Sequence, residues 1–263
     1  MSDADGVFPV PAYLSPSSID TFRQCPLKYK FSRIDKIPDP PTEATLMGNF
    51  VHSVLEDLFS LSPEDRTLSS ARTLMASQWA NNYSTPVVEI LDNSERSIHQ
   101  FRWNSWWCVE NYFKIENPSD IQSKGVEHEL NGFIDDVPIK GFIDRWQEEP
   151  QGVCISDYKT GKTPKKQYAD GKFFAMTLYA DLLSAEINKP VFKIELLYLK
   201  DGVRMIKLIN DETTAEMREI VKTTYEQVKI RCSTGDFEPV RNNLCDWCNY
   251  KTICPAWDTK YRK

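Results

Sequence analysis

The hydrophobic period of this chain changes near residue 124, and that change limits the folds open to it. Upstream, apolar residues recur at helical spacing. Downstream, three short segments read as strands: Gly125–Ile134, Val137–Trp146 and Gly152–Tyr158. Asp135-Asp136 and Glu148-Glu149-Pro150-Gln151 supply turn residues between them, so the three form a meander. A helix over Phe173–Ile187, an apolar strand Val191–Leu199, its partner Val203–Ile209 and a long helix Thr213–Cys232 follow. This order predicts an α/β domain with a mixed sheet, preceded by a helical insertion.

In the helical half, Ser15-Pro16 gives an N-cap followed by proline in the first turn and opens a helix to about Ile34. Ile37-Pro38-Asp39-Pro40-Pro41 breaks it. A second helix is expected over Ala44–Ser60, with Leu46, Phe50, Val54, Leu55 and Leu58 on one side. Ser62-Pro63-Glu64-Asp65 repeats the start signal for a third. A fourth carries Trp103, Trp106, Trp107 and Phe113 and ends near Asn117-Pro118. Residues 1–14 read as a flexible arm, 15–257 as a single domain and 258–263 as a tail. Within the domain, about 44–117 is the helical part, 124–210 the core and 235–257 the cysteine-bearing end.

Of the 263 residues, 41% are hydrophobic, enough to bury a core and to exclude disorder throughout. No apolar run reaches the ~18 residues of a membrane span. The start, MSDADG, lacks a basic region and an apolar core, so a cytoplasmic address is expected. With a net charge of −6, the chain does not hold nucleic acid by bulk charge and needs local basic patches for it.

The hairpin closed by residues 148–152 carries the chemistry. Its turn sets Asp144 opposite Asp157, and alternation puts Lys159 on the Asp157 face and Tyr158 on the other. Facing carboxylates repel unless a cation lies between them, and hard oxygen ligands favour magnesium or manganese. A lysine beside them can orient an attacking water or stabilise charge that builds on phosphorus. Such a metal would polarise a phosphoryl oxygen. An isolated D-x-K is usually an ordinary surface hairpin. Here Gly141-Phe142-Ile143 and Val153-Cys154-Ile155 lead buried strands into the charges, which is costly without a task.

Cys245, Cys248 and Cys254 form C-x2-C-x5-C, and Cys25-Pro26 stands far upstream. Together they can make a tetrathiolate site for zinc or for an iron–sulfur cluster. Cys254-Pro255, with Trp247, Tyr250 and Trp257 to exclude solvent, favours iron–sulfur. Cys108, Cys154 and Cys232 read as packing residues, and His99 and His128 carry no assigned role. On the second helix, His52 and Glu56 share a face, although a lone helical histidine is more often a packed or surface residue.

The blocks Gly141-Phe142-Ile143-Asp144-Arg145 and Asp157-Tyr158-Lys159-Thr160-Gly161-Lys162 closely resemble the "GxxDR…DYKTGK" signature of the RecB-like branch of the PD-(D/E)xK nucleases. Gly48 to Glu56 resembles that family's "GxxxHxxxE" motif, and the four cysteines resemble its iron–sulfur members, the AddB-type nuclease domain and the CRISPR-associated exonuclease. The resemblance implies a restriction-endonuclease-like core with a C-terminal cluster clasp. It implies that Asp144, Asp157, His52 and the Tyr158 carbonyl bind Mn2+ or Mg2+, and that Lys159 is catalytic. It further implies that Cys25, Cys245, Cys248 and Cys254 hold a [4Fe–4S] cluster, clasping the chain ends.

Lys159, Lys162, Lys165, Lys166 and Lys172 make one basic stretch, and Arg23, Lys28, Lys30, Arg33 and Lys36 another; both suit a phosphate backbone. Tyr29, Phe31, Tyr168 and Phe173 are candidate stacking platforms for single-stranded bases. The family usually carries Q-x-x-x-Y after the lysine motif. Tyr179 is kept, to position the strand, but Ala175 stands at the glutamine's place, and Gln167 is a substitute donor. The expected activity is a metal-dependent exonuclease acting on single-stranded DNA ends. The alternatives are a non-catalytic DNA-binding scaffold of a repair or integration complex and a structure-specific endonuclease. A helicase or integration-complex partner and an oligomer are compatible with the sequence.

Overall fold

Ser15 is extended, its hydroxyl accepts from the Ser18 N–H, and the Ser18 hydroxyl in turn caps the Ser15 N–H. This opens α1, Pro16–Gln24, in a computed structural model that describes residues 7–257. The first six residues of the expected arm and the tail 258–263 lie outside the described residues. The arm is held at two points beyond them. Phe8 N–H donates to the Cys232 carbonyl, and buried Leu14 bridges to Ile139. The helix expected to continue to Ile34 stops at Gln24. Cys25 is extended because the proline after it disfavours helical geometry, so the chain restarts as α2, Pro26–Tyr29, and a π-helical turn, Lys30–Ile34.

The second expected helix is α3, Glu43–Phe59, capped by Thr42. Ser62-Pro63 starts only a 3-10 turn, Pro63–Asp65, because the Ser62 hydroxyl bonds the Asp65 carboxylate instead of a backbone amide. Thr67 is the working cap, and α4 runs Leu68–Gln78. A π-helical turn, Trp79–Tyr83, leads into α5, Ser84–Ile90, and α6 follows over Glu95–Ile115.

The strands are β1, Ser123–Ile134; β2, Val137–Glu149; β3, Gly152–Lys159; β4, Val191–Tyr198; and β5, Val203–Leu208. They lie in that order in one mixed sheet. β2 and β3 are antiparallel, with Arg145 opposite Ser156 and Glu149 opposite Gly152, which takes φ +141° at the turn. α7, Phe174–Ile187, carries the crossover to the parallel strand β4, and β5 returns antiparallel. The last helix, α8, spans Asp211–Thr234. The α/β mixed-sheet architecture expected from the sequence is present.

The chain groups into two compact units, each assembled from separate stretches. One comprises Met1–Pro40, Asn131–Gly141 and Asp211–Lys263; the other comprises Pro41–Leu130 and Phe142–Asn210. In the first, α1 packs on α8, and Ile19, Phe22, Met217, Val221 and Val228 are buried. In the second, Phe50, Val54, Leu55 and Leu58 of α3 join Met75, Phe101, Val109 and Tyr112 in a core that also takes in Tyr158 and Leu197. Each such side chain is worth roughly 1.5–3 kcal/mol of burial, so α3 is fixed firmly against the sheet.

Candidate active site

The β2–β3 ladder ends at Arg145 and Ser156, and Asp144 lies one residue beyond. Beyond its pairing with β3, its Oδ2 accepts from the Tyr158 N–H at 2.6 Å. Alternation along β3 sends the Tyr158 ring into the core and the Asp157 and Lys159 side chains to the opposite face. Lys159 Nζ forms an ion pair with the buried Asp157 Oδ2 at 2.6 Å.

α3 delivers His52. One turn before the histidine, Gly48 lies beside the end of β3: a Cβ there would make an ordinary contact with Thr160 Oγ1 at 3.5 Å. His52 Nε2 donates to the Tyr158 carbonyl at 2.9 Å, and Nδ1 lies 3.4 Å from Asp144 Oδ1. Burial opposes charge on the ring, but Asp144, with Asp157 and Glu127, pushes its pKa up to about 9.

Glu127, on β1 at φ +46°, was not singled out from the sequence. One ligand atom each from His52, Glu127 and Asp144 gather within 4.8 Å of one another. Burial and the Asp144 charge push the Glu127 carboxyl up to about 7, and Glu56, one turn after His52, adds to the negative potential there. Asp157 is pushed up to about 6, first by burial and then by Asp144, with Lys159 acting against both. Asp144 itself is held below the usual carboxylate range, because His52 and the Tyr158 amide outweigh its burial.

Three carboxylates and an imidazole thus converge at a cost in charge repulsion that burial and Asp144 impose on Glu127 and Asp157. That donor set fits a hard divalent cation. His52, Glu127, Asp144 and Asp157 are the side chains able to hold one, and the Tyr158 carbonyl can join them. With a divalent cation bound, the site gains a Lewis acid that polarises a phosphoryl oxygen.

On the other face of the hairpin, Arg145 is fully buried. It pairs with Glu116 and donates to Tyr112 Oη (3.0 Å), Tyr158 Oη (3.3 Å) and Ser156 Oγ (3.0 Å). The arginine of the signature therefore braces the strands from behind the acids.

Tyr179 is half-buried on α7; burial, with the nearby Asp157 and Asp144 charges, pushes its hydroxyl up, and Lys159 acts against them. Lys162 and Lys165 are exposed on the loop after β3, which Thr163 N–H pins to Asp201 at 2.7 Å. The side chain of Lys166 lies outside the described residues. Two expected stacking platforms are corrected. Tyr29 and Phe173 are buried in packing and offer no face to a base, whereas Tyr168 is exposed.

Cys25, Cys245, Cys248 and Cys254 line one pocket with Lys28, Phe31, Tyr250 and Trp257, and all four are free thiols. Val240 N–H donates to Cys25 Sγ at 3.4 Å and Asn242 N–H to Cys245 Sγ at 3.3 Å. Burial and the three companion cysteines push the Cys254 thiol up. Phe31 stacks toward Tyr250 here, at 5.5 Å between ring centres, instead of facing a base. Trp247, expected to exclude solvent, is 78% exposed and does not shield the sulfurs. Cys108, Cys154 and Cys232 are buried elsewhere.

Residues 13–255 match the family model of the PD-(D/E)XK nuclease superfamily, nearly the whole chain. The chain belongs to that superfamily. Among curated proteins it is similar to the Gene 69 protein of Mycobacterium phage L5, with 22% identity covering 98% of this chain and 100% of the relative. The Gene 69 protein of Mycobacterium phage D29 is also 22% identical, over 92% of this chain and 96% of its own. Among solved structures, the "Putative exonuclease" of Eubacterium rectale shares the fold. Its TM-score is 0.56 at 15% identity, covering 90% of this chain and 87% of that one. PD-(D/E)XK nucleases use divalent metals, and the family implies DNA as substrate. No helix among the described residues is long and apolar enough to cross a membrane.

Proposed function

We propose that the protein is a Mn2+- or Mg2+-dependent deoxyribonuclease that degrades single-stranded DNA from its ends, with a [4Fe–4S] cluster on Cys25, Cys245, Cys248 and Cys254. The observation that carries the catalytic reading is the gathering of His52, Glu127 and Asp144 within 4.8 Å, beside the Asp157–Lys159 pair. In this reading Asp144, Asp157, Glu127 and His52 hold the cation. Lys159, drawn to the scissile phosphate, orients the attacking water and meets the charge that develops on the phosphoryl oxygens. Lys162, Lys165 and Lys166 follow the phosphate backbone, and Tyr179 positions the strand.

The cluster assignment is supported by the donor set and its surroundings. Two sulfurs accept backbone N–H bonds and three aromatic rings line the pocket, features that hold and tune iron–sulfur clusters. A cluster there links residue 25 to residue 245 and restricts the unfolded chain.

A second reading, a DNA-binding scaffold without cleavage, is favoured by one observation: Ala175 offers no amide where the family carries glutamine. Labelled linear and circular single-stranded DNA incubated with Mn2+ separates the readings. An exonuclease degrades the linear strand and leaves the circle, a structure-specific endonuclease cuts the circle, and a scaffold binds both and cuts neither.

A further inference from the structure

The helical part carries an aromatic and cationic groove that the metal centre does not use. It is lined by Arg72 of α4, Trp79, and His99, Arg102, Trp103 and Trp106 of α6, with Phe50 of α3 at its base. None of these residues is acidic, and α4 contains no carboxylate at all. Arg72 lies over the Trp106 ring at 4.8 Å and Arg102 over the Trp79 ring at 4.9 Å. Among the described residues neither guanidinium is paired with a carboxylate, so stacking alone holds them, with their N–H edges open to solvent. Trp103, which lines the same groove, is 56% exposed, an uncommon cost in apolar surface for a residue with no partner to cover it.

An open indole in one groove with two planar cations matches a strand that presents both bases and phosphates. An acidic peptide matches poorly, since it brings charge but no rings for Trp103. The groove also adjoins the helix that bears His52. Phe50 stacks with Tyr83 at 4.8 Å, and Tyr83 Oη bonds Ser53, the residue after His52, at 2.9 Å.

We propose that this groove is a second binding site for single-stranded DNA, with Trp103 stacking on a base and Arg72 and Arg102 pairing with phosphates. It rests on the nuclease reading for its ligand class but not for its test. Binding of fluorescein-labelled oligo(dT) to the full-length protein in EDTA is followed by anisotropy across a salt series, so that cleavage plays no part. Trp103→Ala is expected to weaken binding about 5- to 100-fold and Trp103→Phe much less. Arg72→Ala with Arg102→Ala is expected to lower the slope of log K against log salt by about 1.4, as for two lost phosphate contacts. Mn2+-dependent hydrolysis of a small phosphodiester reporter is measured in parallel and stays at the wild-type level.

Variants that bind oligo(dT) with wild-type affinity and salt slope overturn the proposal, as does a wild-type protein that binds no oligo(dT). Displacement of the DNA by poly-glutamate at comparable charge concentration also overturns it, in favour of an acidic protein partner. Absence of reporter hydrolysis by wild type, with the binding losses intact, counts against the nuclease reading alone.

Discussion

Asp144 is fastened to the strand next to its own: its Oδ2 accepts from the main-chain N–H of Tyr158, while the Tyr158 carbonyl accepts from His52. One peptide segment of β3 therefore sets the position of both the acid from β2 and the imidazole from α3. The backbone orients the site, and the side chains opposite it anchor that backbone.

Arg145 is the first point at which this account is exposed to test. Its guanidinium and the Glu116 carboxylate are buried together, so removing the guanidinium leaves that carboxylate with only the part-exposed Arg204 and strips Tyr112 and Ser156 of their donor. Arg145→Met is expected to lower stability by about 3–5 kcal/mol in urea denaturation. Arg145→Met combined with Glu116→Gln should recover much of that loss, although Arg204, 3.0 Å from Glu116, then keeps only Glu195, at 3.5 Å, as an acidic partner. A single variant within about 1 kcal/mol of wild type would show that the network behind the acids is dispensable.

Glu127 tests the repulsion at the front. Without a cation and above about pH 8, where Glu127 is ionised, Glu127→Gln removes one of three converging negative charges and is expected to raise the melting temperature. With Mn2+ present, the same variant should bind the ion about 10- to 100-fold more weakly, the effect typical of removing a group that supports a metal site. Thermal scans with and without Mn2+ check both arms, and an unchanged response to Mn2+ would remove Glu127 from the site.

Much of this arrangement was legible in the sequence, and the failures are instructive. The hairpin register followed from turn residues at 148–152 and apolar runs leading into Asp144 and Asp157, since a one-residue slip would expose Ile143 and Ile155. Glu127 could not be read. Its reach depends on a left-handed backbone in β1, which no local pattern signals in a non-glycine residue. The only available sign was an acidic residue between Val126 and His128 in a strand. The α1 boundary was misplaced because Cys25-Pro26 looks like an interruption within a helical period, while its backbone in fact leaves the helix. Tyr29 and Phe173 illustrate a general ambiguity: an aromatic beside lysines reads as a base platform until packing is known.

The cysteine pocket makes a spectroscopic prediction. Protein purified without oxygen should be brown, with four irons per chain and absorbance near 400 nm that bleaches on reduction. Cys254→Ser is expected to lose that colour and most of the iron, and to lower the melting temperature because the Cys25 and Cys245 segments are no longer joined. A colourless protein carrying one zinc per chain would assign the site to zinc.

Lys159 separates chemistry from binding. Lys159→Ala should cut single-stranded DNA about 10²- to 10⁴-fold more slowly at saturating Mn2+, with DNA affinity within a few-fold of wild type. Equal losses in binding and turnover would make the lysine a phosphate contact only.

The central claim is that the acids converging on His52 exist to capture a divalent ion. Calorimetric titration of Mn2+ into the wild-type protein, the Asp144→Asn variant and the Asp157→Asn variant tests it most directly. Saturable binding by wild type, weakened at least tenfold in both variants, is the expected result. Equal binding by all three proteins, or none by wild type, would contradict it.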